Sequence, residues 1–402
     1  MTKQAYIVSG TRTPIGNFGG ALSSIRPDDM AAHVISELMK KNPGLDPSLI
    51  EEVILGCANQ AGEDNRNIAR MALLLAGVPQ TVPGETVNRL CASGMSAVVH
   101  AKRAINSGDL DVVIAGGVES MTRAPYVISK SGKPFGTDSK MYDSSFGWRF
   151  INPKMHELYG TDPMGITAEN VAERYAINRE DQDKFAFWSQ LKATSALNSG
   201  RFDMEISPIA YSKGKMGEEI VSADEFIKPT TNLEILGKLK PAFKPDGSVT
   251  AGNSSGLNDG ASAVLIVSEE GLKKHSLTPL VRIVSSAVVG VEPRIMGIGP
   301  VEASRLALKK AGLTFDDIDL IELNEAFAAQ ALACTRQWNL PDNDSRVNPN
   351  GGAIALGHPL GMSGSRIVYS AALQLKLTNR KYALCTMCIG VGQGYAVVLE
   401  RV

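Results

Sequence analysis

The sequence is poor in cysteine, in aromatics and in net charge. It has five cysteines in 402 residues, an odd and sparse count that excludes a disulfide framework and fits reduced thiols. Charged residues nearly cancel at 41 Lys and Arg against 42 Asp and Glu. Nucleic acid is therefore not expected as the main partner, since binding phosphate needs a basic face. No apolar run approaches the ~20 residues of a membrane-spanning helix, so no membrane contact is expected. Disorder is excluded as the dominant state by 44% apolar residues and modest net charge. The opening residues read straight into a strand, without the pattern of a secretory leader, and the closing LERV is not a peroxisomal address. A cytoplasmic location is expected.

What is present is glycine, 39 residues of it, and an alternation of helix and strand signals that points to an α/β protein. Ala5–Ser9, Val53–Gly56 and Asp111–Gly117 read as strands, with Thr86–Asn88 as a strand end. Asp28–Lys41 and Asn67–Ala76 read as helices, and Met95, Val98, Val99 and Ile105 recur at helical spacing before Gly108. From 120 to 249 this rhythm fades into polar stretches, including Ser129–Ser145 and Ser212–Glu219, broken by a helix over Arg179–Ser199. That segment reads as an insertion. The rhythm then resumes and echoes the first part. LIEEVILG and IDLIEL are both acidic-led strands, and Val87-Asn88 and Val347-Asn348 each precede a glycine-containing approach to a helix, the second helix starting near Ser363. Tyr382–Met387 and Tyr395–Glu400 then read as a strand pair. A duplicated unit is expected.

Four segments carry chemistry. Cys91 in NRLCASGM stands near a helix start, where the dipole favours thiolate; a buried inert thiol is the plain alternative. His358 is one of only five histidines and lies in a glycine-rich run where a ligand can approach closely. It can accept a proton from a thiol, or simply be a loop histidine satisfied by backbone. Cys388 forms a C-x-x-C with Cys385, but this one runs into a turn rather than a helix, which argues against a redox pair. Zinc is not expected, because no second Cys/His pair stands at ligand spacing. Asn324 in NEAF follows a strand, where an amide can position a water or a carbonyl; an ordinary helix cap is the alternative.

Together these segments resemble the thiolases, or acetyl-CoA C-acyltransferases. The resemblance covers essentially the whole chain, through GTRTP (10–14), NRLCASGM (88–95), GGVESM (116–121), TAGNSSGLNDGA (250–261), NEAFA, NPNGGAIALGHPLG and CIGVGQG. Within the family, GCANQAGEDNRNIARMALLLAGVP (56–79) and GWRFINPKM (147–155) look most like β-ketoadipyl-CoA thiolases of aromatic-compound breakdown. The resemblance implies the thiolase fold, a five-layered α-β-α-β-α sandwich of two duplicated βαβαβαββ halves. Residues 1–119, completed by 250–272, would form the first half, 120–249 the loop domain and 273–402 the second half.

It also implies roles. Cys91 would be acylated, His358 would take its proton, and Cys388 would exchange a proton with the acetyl carbanion. His358 with a water on Asn324 would form one oxyanion site, and the N–H groups of Cys91 and Gly390 the other. Ser255 would hold the pantetheine, while Phe243, Ala251, Met296, Ala326, Phe327 and Met164 would wall the CoA and acyl tunnel. Pro163 replaces a histidine common before this Met in acetoacetyl-CoA thiolases of the biosynthetic type, which favours a longer or carboxylated acyl chain. A distal carboxylate needs a partner, and Arg149 in GWRF is the candidate, against the alternative of a loop surface arginine. CoA and acyl-CoA enter as substrates, with no metal, no redox cofactor and a homodimer or homotetramer expected. An acetoacetyl-CoA thiolase working in the condensing direction is the nearest alternative. A decarboxylating condensing enzyme would have a different active set from Cys91, His358 and Cys388, and a non-catalytic CoA-binding or lipid-binding relative would lack members of it.

Overall fold

A computed structural model describes residues 3–212 and 217–402. In the first half, β1 (Ala5–Arg12), α1 (Pro27–Lys41), β2 (Glu52–Gly56), α2 (Ile68–Leu75), β3 (Gly84–Val87), α3 (Ser93–Ser107), β4 (Val112–Ser120) and β5 (Asn258–Ser268) follow one another. Helix ends obey local chemistry. Pro27 and two aspartates open α1 and two lysines close it, while Gly108 ends α3 in the left-handed region at φ 88°.

The strands lie in the order β3-β2-β4-β5-β1. Pairs β3/β2 and β2/β4 are parallel, and β4/β5 and β5/β1 antiparallel. The second half repeats this with β6 (Val281–Gly290), α6 (Gly299–Ala311), β7 (Leu320–Leu323), α7 (Ala328–Gln337), α8 (Leu360–Thr378), β8 (Tyr382–Ile389) and β9 (Gln393–Arg401). Its order is β7-β8-β9-β6. The strand equivalent to β3 has shrunk to one parallel bridge, Ile321 to Val347, so the duplication is incomplete at that edge. Tyr6 and Ile7 of β1 pair with Arg282 and Val281 of β6, which joins the two sheets edge to edge into one continuous path of strands.

Three apolar cores account for the five layers. One joins α1 and α2 to the outer face of the first sheet, through residues such as Val34, Leu38, Leu55 and Leu265. A second packs α6 and α7 on the outer face of the second sheet. The third lies between the sheets around α3 and α8, with Met95, Val98, Ile367 and Ala371 meeting Ile266 and Val397. α3 and α8 are therefore buried on most sides, and their sequences are rich in small residues. Their starts nearly touch: a Cβ added to Gly94 would lie 2.5 Å from the Gly361 carbonyl oxygen. α8 begins at Leu360, earlier than the sequence pattern indicates, because Pro359 occupies its N-cap and fixes the approach.

The intervening segment contributes α4 (Met164–Arg174), α5 (Arg179–Asn198) and two small hairpins, Tyr126–Ile128 with Met141–Asp143 and Ile209–Ser212 with Glu218–Val221. Of the polar stretch Ser212–Glu219, residues 213–216 lie outside the described residues. A buried ion network ties this segment to β1. Arg12 donates to both oxygens of Asp224, at 2.7 and 2.9 Å, and to Glu205 at 3.0 Å; Arg201 donates to the other Glu205 oxygen at 2.7 Å. Among the described residues, no helix is long and apolar enough to cross a membrane.

Candidate active site

α3 and α8 are equivalent helices of the two halves, and their N-terminal ends converge. Cys91 stands just before one and His358 just before the other. The turn bearing Cys91 is strained: Leu90 takes φ 47°, in the left-handed region that a branched side chain disfavours. Neighbours hold it there. Leu90 N donates to Asn88 Oδ1 at 2.9 Å, and Ser93 Oγ accepts from Arg89 N and donates to Leu90 O.

The helix dipole does not make Cys91 a thiolate. α3 starts only at Ser93, and burial of the sulfur raises the thiol to about 11, although the N–H groups of Gly390 and of Cys91 itself pull it down. Both N–H groups favour the charged form of the sulfur, the sign of interaction that stabilises negative charge. A Cβ at Gly390 would sit 3.2 Å from Leu90 Cδ1, so the backbone there packs closely on the Cys91 turn.

His358 is buried, and burial, with Arg366 nearby, pushes its imidazole down to about 3. Its backbone N–H donates to Asn258 Oδ1 at 2.9 Å. Its Nδ1 lies 2.6 Å from Ser363 Oγ, whose own proton goes to Pro359 O at 2.9 Å. The hydroxyl is thus an acceptor for Nδ1–H, and Nε2 keeps its lone pair. Asn324 Nδ2 is 3.4 Å from that Nε2. Asn324 is no helix cap, because α7 starts at Ala328 behind Phe327. Its backbone N–H donates to Thr386 O, and its buried Oδ1 has no partner among the described residues.

Cys388 lies one residue before the end of β8, fully buried, with its thiol held well above the usual range by burial and by the neighbouring Cys91 and Cys334. Cys385, three residues earlier in the same strand, faces the opposite side and belongs to the core between the sheets. The C-x-x-C is therefore not a redox pair.

Two cavities meet at Cys91. One, of about 260 Å³, is walled by His358, Cys388, Met296, Phe327 and Ser255 and includes Phe243, Ala326 and Met164. The second, of about 220 Å³, is walled by Gly390, Leu90, Trp148, Arg149 and Glu119. Cys91, Phe146, Met164 and Leu360 belong to both. Phe243 and Phe327 meet edge to face at 6.2 Å. Ala251 departs from expectation: it is exposed in a turn and lines neither cavity. Ser255 Oγ donates to Ala326 O at 3.1 Å, which fixes that wall.

Comparison with known proteins places this geometry. Residues 5–270 match the family described as thiolase, N-terminal domain, and 277–401 the thiolase, C-terminal domain. The chain belongs to the thiolase family. As a thiolase it is an acyltransferase. It is 56% identical, over the full length of both chains, to a 3-oxoadipyl-CoA/3-oxo-5,6-dehydrosuberyl-CoA thiolase of Escherichia coli K12. It is also 56% identical, over the full length of both, to a beta-ketoadipyl-CoA thiolase of Pseudomonas knackmussii. The solved human mitochondrial 3-ketoacyl-CoA thiolase superposes with a TM-score of 0.93 at 43% identity, covering 100% of this chain and 99% of that one.

Sequence reasoning did not single out Ser363, Asn258 or Glu119. Glu119 accepts from the backbone N–H of Ala58, Asn59 and Gly361 at 2.8–3.0 Å, and burial raises it to about 7. It lies near Cys57 and Asp64, but its oxygens are already committed to the backbone, which does not fit a metal ligand. Asn258 and Glu119 stand inside family motifs and Ser363 two residues beyond one; only their contacts reveal their work.

Proposed function

We propose that this thiolase cleaves a 3-oxoacyl-CoA with CoA, giving acetyl-CoA and an acyl-CoA two carbons shorter, and that its preferred acyl chain ends in a carboxylate, as in β-ketoadipyl-CoA. The observation that carries the chemistry is the meeting of Cys91, His358 and Cys388 on one cavity. The chain preference rests on the names of the relatives and on Pro163.

His358 Nε2 takes the Cys91 proton as the sulfur attacks the 3-oxo carbon. The oxyanion forms against the Cys91 and Gly390 N–H groups, which supply about 3–4 kcal/mol each when aligned. The C2–C3 bond then breaks. The enolate oxygen is held by His358 Nε2–H and a water on Asn324, and Cys388 delivers a proton to C2. In the second half, CoA gives its thiol proton to Cys388 and attacks the acyl-Cys91, whose sulfur leaves and recovers its proton from His358. Protons and electron pairs balance, and no metal or redox cofactor is required. With β-ketoadipyl-CoA the acyl-enzyme would be a succinyl thioester. A homodimer or homotetramer acting in the cytoplasm belongs to the same proposal.

The test is thiolysis of acetoacetyl-, medium-chain 3-oxoacyl- and β-ketoadipyl-CoA, with Cys91→Ala beside the wild type. The highest kcat/KM is expected for β-ketoadipyl-CoA, with mass spectrometry showing the acyl group on wild type only. Acetoacetyl-CoA as the best substrate would make this a short-chain thiolase, and acyl-enzyme on Cys91→Ala would remove Cys91 from its role.

A further inference from the structure

The second cavity holds a cation without a counter-ion. Arg149 and Glu119 are its charged residues. Both oxygens of Glu119 are occupied by backbone N–H groups. Arg149 is half-buried and donates only to neutral oxygens, the Ser144 carbonyl at 3.4 Å and Asn59 Oδ1 at 3.1 Å. No carboxylate of the described residues pairs with it within 4.0 Å. A guanidinium has five N–H donors, so several remain for a ligand.

The head group is also held in place. Asn59, its partner, donates its backbone N–H to Glu119 at 3.0 Å and its Nδ2 to Ser144 Oγ at 3.3 Å. Ser144 Oγ in turn donates to Pro125 O at 2.6 Å. Glu119 therefore anchors Ala58 and Asn59, and Asn59 in turn holds the guanidinium. Leu90, Phe146, Trp148 and Val391 make the remaining wall apolar, so the cavity accepts a methylene chain with a charged end.

We infer that Arg149, positioned by Asn59, binds the terminal carboxylate of the acyl chain and sets the preference for dicarboxylic 3-oxoacyl thioesters. This deepens, and rests on, the substrate reading above. The two-methylene spacer of a succinyl thioester puts its carboxylate about 5 Å from the sulfur. A bidentate pair on the cavity wall uses the planar fork of arginine, which lysine only partly reproduces.

The experiment compares kcat/KM for 3-oxoadipyl-CoA and for its uncharged equal-length analogue 3-oxohexanoyl-CoA, in wild type, Arg149→Gln and Arg149→Lys. Wild type should prefer the carboxylated substrate. In Arg149→Gln the preference ratio should fall about 30–100-fold, the loss of a charge-assisted pair, mostly through KM. Arg149→Lys should restore part of it. A wild type that prefers 3-oxoadipyl-CoA while Arg149→Gln keeps the same ratio would overturn the role of Arg149 and leave the substrate reading standing. An equal fall on both substrates would also overturn it, by showing a structural role. A wild type with no preference would remove the substrate reading and this inference together.

Discussion

Ser363 Oγ lies 2.6 Å from His358 Nδ1 and gives its own proton to Pro359 O at 2.9 Å. One hydroxyl thereby decides which imidazole nitrogen is basic, leaving the lone pair on Nε2. Ser363→Ala leaves Nδ1–H without its acceptor. A buried unsatisfied donor costs about 1–2 kcal/mol, so kcat/KM should fall roughly 5- to 30-fold. Ser363→Thr should recover most of the rate. Steady-state thiolysis of the three proteins checks this.

Resting Cys91 is a neutral thiol, raised to about 11, and His358 is a neutral imidazole, lowered to about 3. Alkylation of Cys91 by iodoacetamide should therefore keep accelerating past pH 9, where an ordinary thiol levels off. A plateau near pH 8.5 would contradict the buried setting.

The same imidazole makes stability pH-dependent. A histidine whose folded value lies below its unfolded one contributes stability that is present above about 6.5, and that is lost as pH falls from there toward about 3. Urea midpoints at pH 7 and pH 5 should differ in wild type more than in His358→Asn.

Arg12 is fully buried between Asp224 and Glu205. Removing one partner of such a network strands the others, so Arg12→Ala should cost about 3–5 kcal/mol, measured by urea unfolding. The loss should appear as reduced stability before any change in chemistry, since Arg12 lines neither cavity at Cys91.

Gly117 faces the first turn of α8, and an added Cβ would lie 1.9 Å from the Gly361 carbonyl oxygen. Backbone cannot yield as a flexible side chain does. Gly117→Ala should lose about 3 kcal/mol and displace α8, with it His358. A variant with wild-type Tm and kcat would show the contact to be slack.

Much of this was legible in the chain. Buried strands announce themselves as apolar runs, as Val112–Val118 does within β4, and the ends of α1 and α3 by proline, acid and glycine. The echo between LIEEVILG and IDLIEL survives because both halves solve the same packing problem. Cys91, His358, Cys388 and Asn324 stood out through their motifs.

Other matters were decided only by tertiary structure. Dipole reasoning favoured a thiolate at Cys91; burial, which depends on what two distant segments place around the sulfur, reversed it. Ala251 lies in a family motif yet faces outward. The pairing of Arg149 with Asn59, 90 residues apart, and of Asn258 with His358, 100 apart, has no local signal. Sequence by itself determined the elements, the duplication and the reactive residue types, because these follow from short-range periodicity and composition. The protonation states, the cavity that receives the acyl chain and the cation on its wall were set by the fold, because desolvation and charge pairing depend on distances through space rather than along the chain.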